Sequence, residues 1–140
     1  MRQVEQLDIS YTTLESRCSI FVGVCKSQEL FEQYWEKDYD LLHNDYIGFE
    51  MGVDFGINTY NEDFAIMMLR KNLTTKIDEL VKDAEIFDID ALKRLHPDGL
   101  DRPYNAIIIL DRVSYDGSIQ EVQNETFGYF KFLGVFDSWQ

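Results

Sequence analysis

The side chains that could do chemistry in this chain are two histidines, His43 and His96, and a run of carboxylates between residues 36 and 63. A Ser/His/Asp or Cys/His catalyst needs an imidazole within reach of its nucleophile. His96 precedes Pro97 at a predicted helix end, where it can satisfy the last carbonyls. His43 sits among acids and reads as a pH-sensitive surface residue. Asp38, Asp40 and Asp45 offer oxygen ligands to a hard cation, but DYDLLHND (38–45) lacks the central Gly and closing Glu of an EF-hand loop. Among 26 acidic residues, carboxylate pairs at glycosidase spacing arise by chance. The segment GFEMGVDFG (48–56) has the glycines of a phosphate loop, yet it carries no Lys and two carboxylates that repel phosphate. Its Asp54-Phe55-Gly56 triplet has no catalytic-loop partner of the kinase type. These residues predict no catalytic, cofactor or metal site, and the chain reads as a non-enzyme.

The same run makes better sense as a contact surface. Glu36, Asp38, Asp40, Asp45, Glu50, Asp54, Glu62 and Asp63 face a single cation, Lys37, and Tyr39, Tyr46, Phe49, Phe55 and Tyr60 are interleaved. Interfaces favour Tyr and Trp as anchors, and acids around them select a cationic partner. The expected contact set is Trp35, Asp38, Tyr39, Asp40, Asp45, Tyr46, Glu50, Asp54, Tyr60, Glu62 and Asp63. It rests on charge clustering alone. The competing reading puts the aromatics in the core and makes some acids turn caps, Asp54 and Asp63 first among them.

The totals point the same way. The chain has 140 residues, 26 acidic against 13 basic, and a net charge of −13. A nucleic-acid binder needs the opposite sign, as does a protein held on an anionic membrane. Basic proteins are the natural partners, because opposite fields speed encounter. Cys18 and Cys25 lie an odd number of residues apart, so their side chains point to opposite faces of one strand and a mutual disulfide is not expected. Reduced thiols, an N-terminus without an apolar leader core, and no apolar run near ~18–20 residues predict a cytoplasmic protein.

One domain is expected over residues 1–140. Residues 1–17 are polar and weakly patterned, either a short helix or a loose extension. CSIFVGVC (18–25) predicts a strand buried on both faces. Ser27 caps a helix whose Leu30, Phe31, Tyr34 and Trp35 form one apolar stripe. Residues 63–70 predict a second strand, Thr74 or Thr75 a helix through about 83, and Asp88 a helix stopped at Pro97. AIIIL (106–110) is a central-strand signal, Asp116-Gly117 a hairpin turn with 118–123 as the return strand, and Asn124 to Thr126 a second turn before a last strand at 129–136. The predicted class is α+β: a mostly antiparallel sheet with a C-terminal three-stranded meander and helices packed mainly on one face.

Three segments, SIFVGVCKSQELFEQY (19–34), MGVDFGINTYNEDFAI (51–66) and YNAIIILDRVSYDGSIQEVQNETFGYFKFLGVF (104–136), resemble in order the immunity protein 22 family of bacterial polymorphic toxin systems. The resemblance implies a protein that binds a cognate toxin domain, a nuclease in the reading the charge favours, and keeps it inactive. A nuclease face is basic because it holds phosphates, so an acidic inhibitor can imitate the polyanion. The alternatives are a generic acidic interaction or regulatory domain and, behind it, a carboxylate-based enzyme or metal binder.

Overall fold

A strand that is apolar on both sides needs cover on both sides, and that requirement organises the molecule. In the computed structural model, which describes residues 2–7 and 11–138 and only the backbone of 11–15, the first strand β1 spans Tyr11–Val24. The helices α1 (Gln28–Trp35), α2 (Tyr39–His43) and α3 (Glu50–Phe55) follow, then a 3₁₀ turn at Glu62–Phe64 and strand β2 (Ala65–Thr74). After α4 (Ile77–Leu80) and α5 (Ile89–Leu95) come β3 (Tyr104–Tyr115), β4 (Glu121–Asn124) and β5 (Gly128–Asp137). The five strands form one antiparallel sheet in the order β2-β3-β1-β5-β4.

The class is the α+β expected, with an antiparallel sheet and three strands in succession at the C-terminus. Two features refine it. β4 and β5 form the hairpin, while β1 enters between β3 and β5, so the chain after Asp116-Gly117 crosses to the far edge of the sheet. The helices also divide. On one face Phe21, Ile108, Leu110, Phe130 and Phe132 pack with Phe31 and Tyr34 of α1 and Met51 and Phe55 of α3. On the other face Cys18, Ile20, Val22, Ile107 and Ile109 pack with Ile77, Leu80, Phe87 and Leu92 from the α4–α5 region. The alternation of side chains along a strand gives both layers an apolar partner from one continuous run. Cys18 and Cys25 fall in opposite layers and both are free thiols. Burial pushes the Cys18 thiol up to about 12, so it is protonated at neutral pH and inert.

Local signals act much as their chemistry dictates. The Ser27 hydroxyl accepts from the amide of Leu30 at 3.2 Å and starts α1. Asp88 accepts from the amide of Ala91 at 3.1 Å and starts α5. α4 is shorter than expected: it begins after Lys76, whose amide donates to the Thr74 hydroxyl in a turn outside the helix, and it ends at Leu80. Gly23 sits under the Phe130 ring, whose Cδ1 would lie 2.3 Å from any Cβ added there. That close approach lets Phe130 stack on Tyr34 at 4.0 Å.

Residues 2–7 run extended along the α2–α3 layer. Val4 accepts from the amide of Ile47, Glu5 bridges Tyr46, and Asn58 holds both the amide and the carbonyl of Leu7. Residues 11–17 open β1, and Met1 and residues 8–10 of the polar lead lie outside the described residues.

The register of β1 against β3 shifts between Thr13 and Cys18. Beside that shift the buried Ser19 hydroxyl donates to the Val113 carbonyl at 2.8 Å and accepts from the Tyr115 amide at 2.9 Å. Ser19→Ala therefore strands a backbone donor and acceptor in the interior and should cost about 1–3 kcal/mol, read as a lower urea midpoint with unchanged slope.

Candidate functional site

The acidic run wraps from the end of α1 to the start of β2, and its turns are built from its own polar residues. Asp38 accepts from the amides of Asp40 and Leu41 and caps α2. Gly56, at φ +75°, ends α3 in the left-handed conformation that glycine adopts without strain. Asn61 accepts from the Asp63 amide and starts the 3₁₀ turn. These local bonds turn the chain three times within one face, and they divide the acids into two ends.

At the first end the carboxylates are consumed internally. The Asp54 side chain is only 4% exposed. It accepts from Arg2 at 2.8 Å, from the Tyr34 hydroxyl at 2.9 Å and from the Asn124 amide at 3.0 Å. Glu50 accepts from Nε and Nη2 of the same guanidinium, at 3.1 and 2.7 Å. Burial alone lowers the Arg2 pKa, but the bonds to Asp54 and Glu50 outweigh it and hold the guanidinium above its usual value. Burial, with the Asp54 charge behind it, likewise pushes the Tyr34 phenol well up, so Tyr34 stays a donor. This hub ties the N-terminal segment, α1, α3 and the β4–β5 turn together.

At the second end the groups face outward. Tyr39 is 51% exposed and donates its hydroxyl to Glu62, whose side chain is itself 51% exposed. That bond raises the Tyr39 phenol, and together with Lys37 it holds the Glu62 carboxyl below the usual range. Lys37 is the hidden organiser. Only 9% exposed, it lies 4.4 Å over the Tyr60 ring, donates to the Tyr60 carbonyl and sits 3.5 Å from Glu62. Tyr60 is buried and gives its hydroxyl to the Trp35 carbonyl at 2.6 Å.

Two clefts share Lys37, Tyr60 and Glu62. One of about 450 Å³ is lined by Trp35, Glu36, Tyr39, Ala65 and Met67. The other, of about 570 Å³, runs past Asp63 and Phe64 to Asp111 and Arg112, whose guanidinium lies 3.6 Å over the Phe64 ring.

The structure thus brings Trp35, Tyr39, Tyr60, Glu62 and Asp63 together around the clefts. Asp40 and Asp45 are exposed on and after α2, and Asp38 caps that helix. Tyr46 is half-buried under the N-terminal segment, and Glu50 and Asp54 lie in the hub. Lys37 carried a visible signal as the lone cation among acids. Arg2 carried none, because only the fold brings it to residues about fifty positions away.

Residues 18–138 match the model of a protein family described as Immunity protein 22. No curated protein and no solved structure matches the chain.

Two outcomes test this division. Asp54→Ala leaves the buried Tyr34 hydroxyl without its acceptor and should destabilise the fold by about 1–3 kcal/mol in chemical denaturation. Tyr39→Phe removes the leading cause of the low Glu62 pKa, so the Glu62 midpoint in an NMR titration should rise toward the ordinary glutamate value. The sign for stability follows from the depressed pKa: the contribution is present above the unfolded value and lost as pH falls through the folded one. An unmoved midpoint would remove the Tyr39–Glu62 bond from the account.

Proposed function

The chain belongs to the immunity protein 22 family, and we propose that it binds a cognate toxin domain of the nuclease type and inactivates it with the outward end of its acidic run. Tyr39 is the anchor, flanked by Asp40, Glu62 and Asp63, with Glu36 and Trp35 at the rim of the adjoining cleft. The single observation that carries this reading is the exposed Tyr39–Glu62 pair over the cleft lined by Trp35 and Met67. It combines an aromatic handle, fixed negative charge and an apolar floor, which is the composition of an interface centre.

The electrostatics favour capture over catalysis. A general acid needs a raised carboxyl pKa, whereas Glu62, the carboxylate common to both clefts, is shifted down. That shift favours the ionised form, which is the form a phosphate mimic uses. A basic toxin face designed to hold a polyanion meets a row of fixed anions in its place. The net charge of −13 guides the approach, and short-range pairing with Tyr39 and its neighbours holds the complex.

Co-expression with the product of a neighbouring toxin gene provides the test. The pair should co-purify, and the toxin should lose its activity. Asp40→Lys, Glu62→Lys and Asp63→Lys combined should slow association by about tenfold or more and flatten its salt dependence, because rim charges act mainly on the on-rate. Association that survives these reversals unchanged places the contact on another face.

A further inference from the structure

The hub at Glu50 and Asp54 has the form of a binding site whose ligand is part of the chain. Neutral donors orient Asp54. The Tyr34 hydroxyl and the Asn124 side-chain amide both donate to its Oδ2, at 2.9 and 3.0 Å, and its Oδ1 accepts from the Arg2 guanidinium at 2.8 Å. Glu50 Oε2 accepts from Nε and Nη2 of the same group. A guanidinium meets this cradle with two nitrogens in one plane, whereas a lysine ammonium brings one. The Asp54 side chain is 4% exposed and that of Glu50 13%, while that of Arg2 is 49% exposed. The acceptors therefore belong to the body of the protein, and the cation lies over them.

The segment that brings Arg2 is lightly attached. Of residues 2–7, Val4 alone is half-buried and the others are exposed. Backbone bonds to Asp45 and Ile47 and the side chain of Asn58 hold it in place. A segment with so little apolar burial lies at the low-stability end of a fold. Tyr34, Glu50, Asp54 and Asn124 fall within the family match, which begins at residue 18, and Arg2 falls outside it. Asp54 cannot stay charged and unpaired in its buried place. Exchange of Arg2 for another guanidinium keeps every bond of the cradle, so the exchange itself is nearly neutral.

A trough joins the cradle to the Tyr39–Glu62 end. The cleft around the cradle, of about 790 Å³, shares Glu50 and Phe127 with a cleft of about 440 Å³. That second cleft shares Glu36 and Lys37 with the one beside Tyr39. A partner seated on Tyr39 thus has a continuous path to Glu50. Two carboxylates against one guanidinium also leave the cradle net negative.

We propose that this cradle is an arginine-binding site, that Arg2 fills it as a placeholder in the free protein, and that an arginine of the toxin displaces residues 2–7 and takes its place. The toxin as the source of that arginine rests on the function proposed above; the guanidinium site does not.

N-acetyl-arginine amide and N-acetyl-lysine amide, added to the full-length Arg2→Ala protein, test the cradle. The substitution should lower the urea midpoint, and the arginine compound should raise it again, because a ligand of the native state stabilises that state. The lysine compound should restore several-fold less. The unsubstituted protein, whose own arginine competes, should respond several-fold less than Arg2→Ala, and Arg2→Ala combined with Glu50→Gln should lose the response. Arg2→Lys keeps a charge beside Asp54 and should show the same preference for the arginine compound, which covers the case of an unfolded Arg2→Ala. Equal responses to the two compounds, or none, overturn the site. Against the co-expressed toxin, Arg2→Ala should tighten binding several-fold more than Arg17→Ala, which removes the same charge from a pair with Asp137 outside the trough. That difference should persist at high salt, where the long-range field is screened. Equal effects of the two substitutions, with capture intact, overturn the toxin as the source of the arginine. An unsubstituted protein that captures no toxin overturns the functional reading, and the response to the arginine compound still decides the cradle.

Discussion

Two-sided burial of β1 is the constraint on which the rest of the structure depends. Phe21 faces one layer, and Ile20 and Val22 the other, so a single strand contributes to both cores. At an edge, one row of its backbone groups would face water unpaired. β3, with Ile107 and Ile109 on one side and Ile108 and Leu110 on the other, is bound by the same requirement. The two pair along most of their length, with β5 on the far side of β1, and the short or half-buried strands β2 and β4 are left for the edges. The acidic run inherits its place from this arrangement: it is the connection that leaves α1 on one face and must return to the sheet at the edge strand β2.

Much of the fold could be read from local chemistry. Ser27 and Asp88 cap helices because their oxygens reach free amides, and Leu30, Phe31, Tyr34 and Trp35 form a stripe because helical periodicity puts them on one side. Strand pairing was less legible. AIIIL marks β3 as central, but nothing local says that β1, more than eighty residues earlier, will lie between β3 and β5. The second helical layer was hidden for a related reason. α4 and α5 are short, and their apolar residues are spread through irregular chain, with Ala84 and Phe87 between them carrying part of the core. No periodic pattern announces a layer assembled that way.

The candidate site divides along the same line. Charge clustering identified the run but could not separate acids that bind the chain to itself from acids that face outward. Asp54 and Glu62 both lie in the acidic run within two residues of a phenylalanine. They differ because Arg2, Tyr34 and Asn124 converge on Asp54 from three distant segments, whereas Glu62 keeps its exposure and gains only Tyr39 and Lys37. A buried carboxylate requires such partners, since leaving it unpaired costs far more than any single bond returns.

This partition changes how the net charge should be understood. Charges matter to a partner within about 8–10 Å at physiological salt, so a total of −13 says little about where contact occurs. Arg2 pairs with both Glu50 and Asp54 at one end of the run and offsets one of their two charges, while Lys37 lies 3.5 Å from Glu62 with its side chain largely hidden from solvent. The first cation is shared by two acids drawn inward, and the second pairs with one acid that stays exposed. The Glu62 carboxyl is held below its usual pKa first by the Tyr39 hydroxyl and then by Lys37, and both Tyr39 and Glu62 stay exposed. That asymmetry, more than the count of carboxylates, is why we propose the Tyr39–Glu62 end of the run as the surface for a cationic partner.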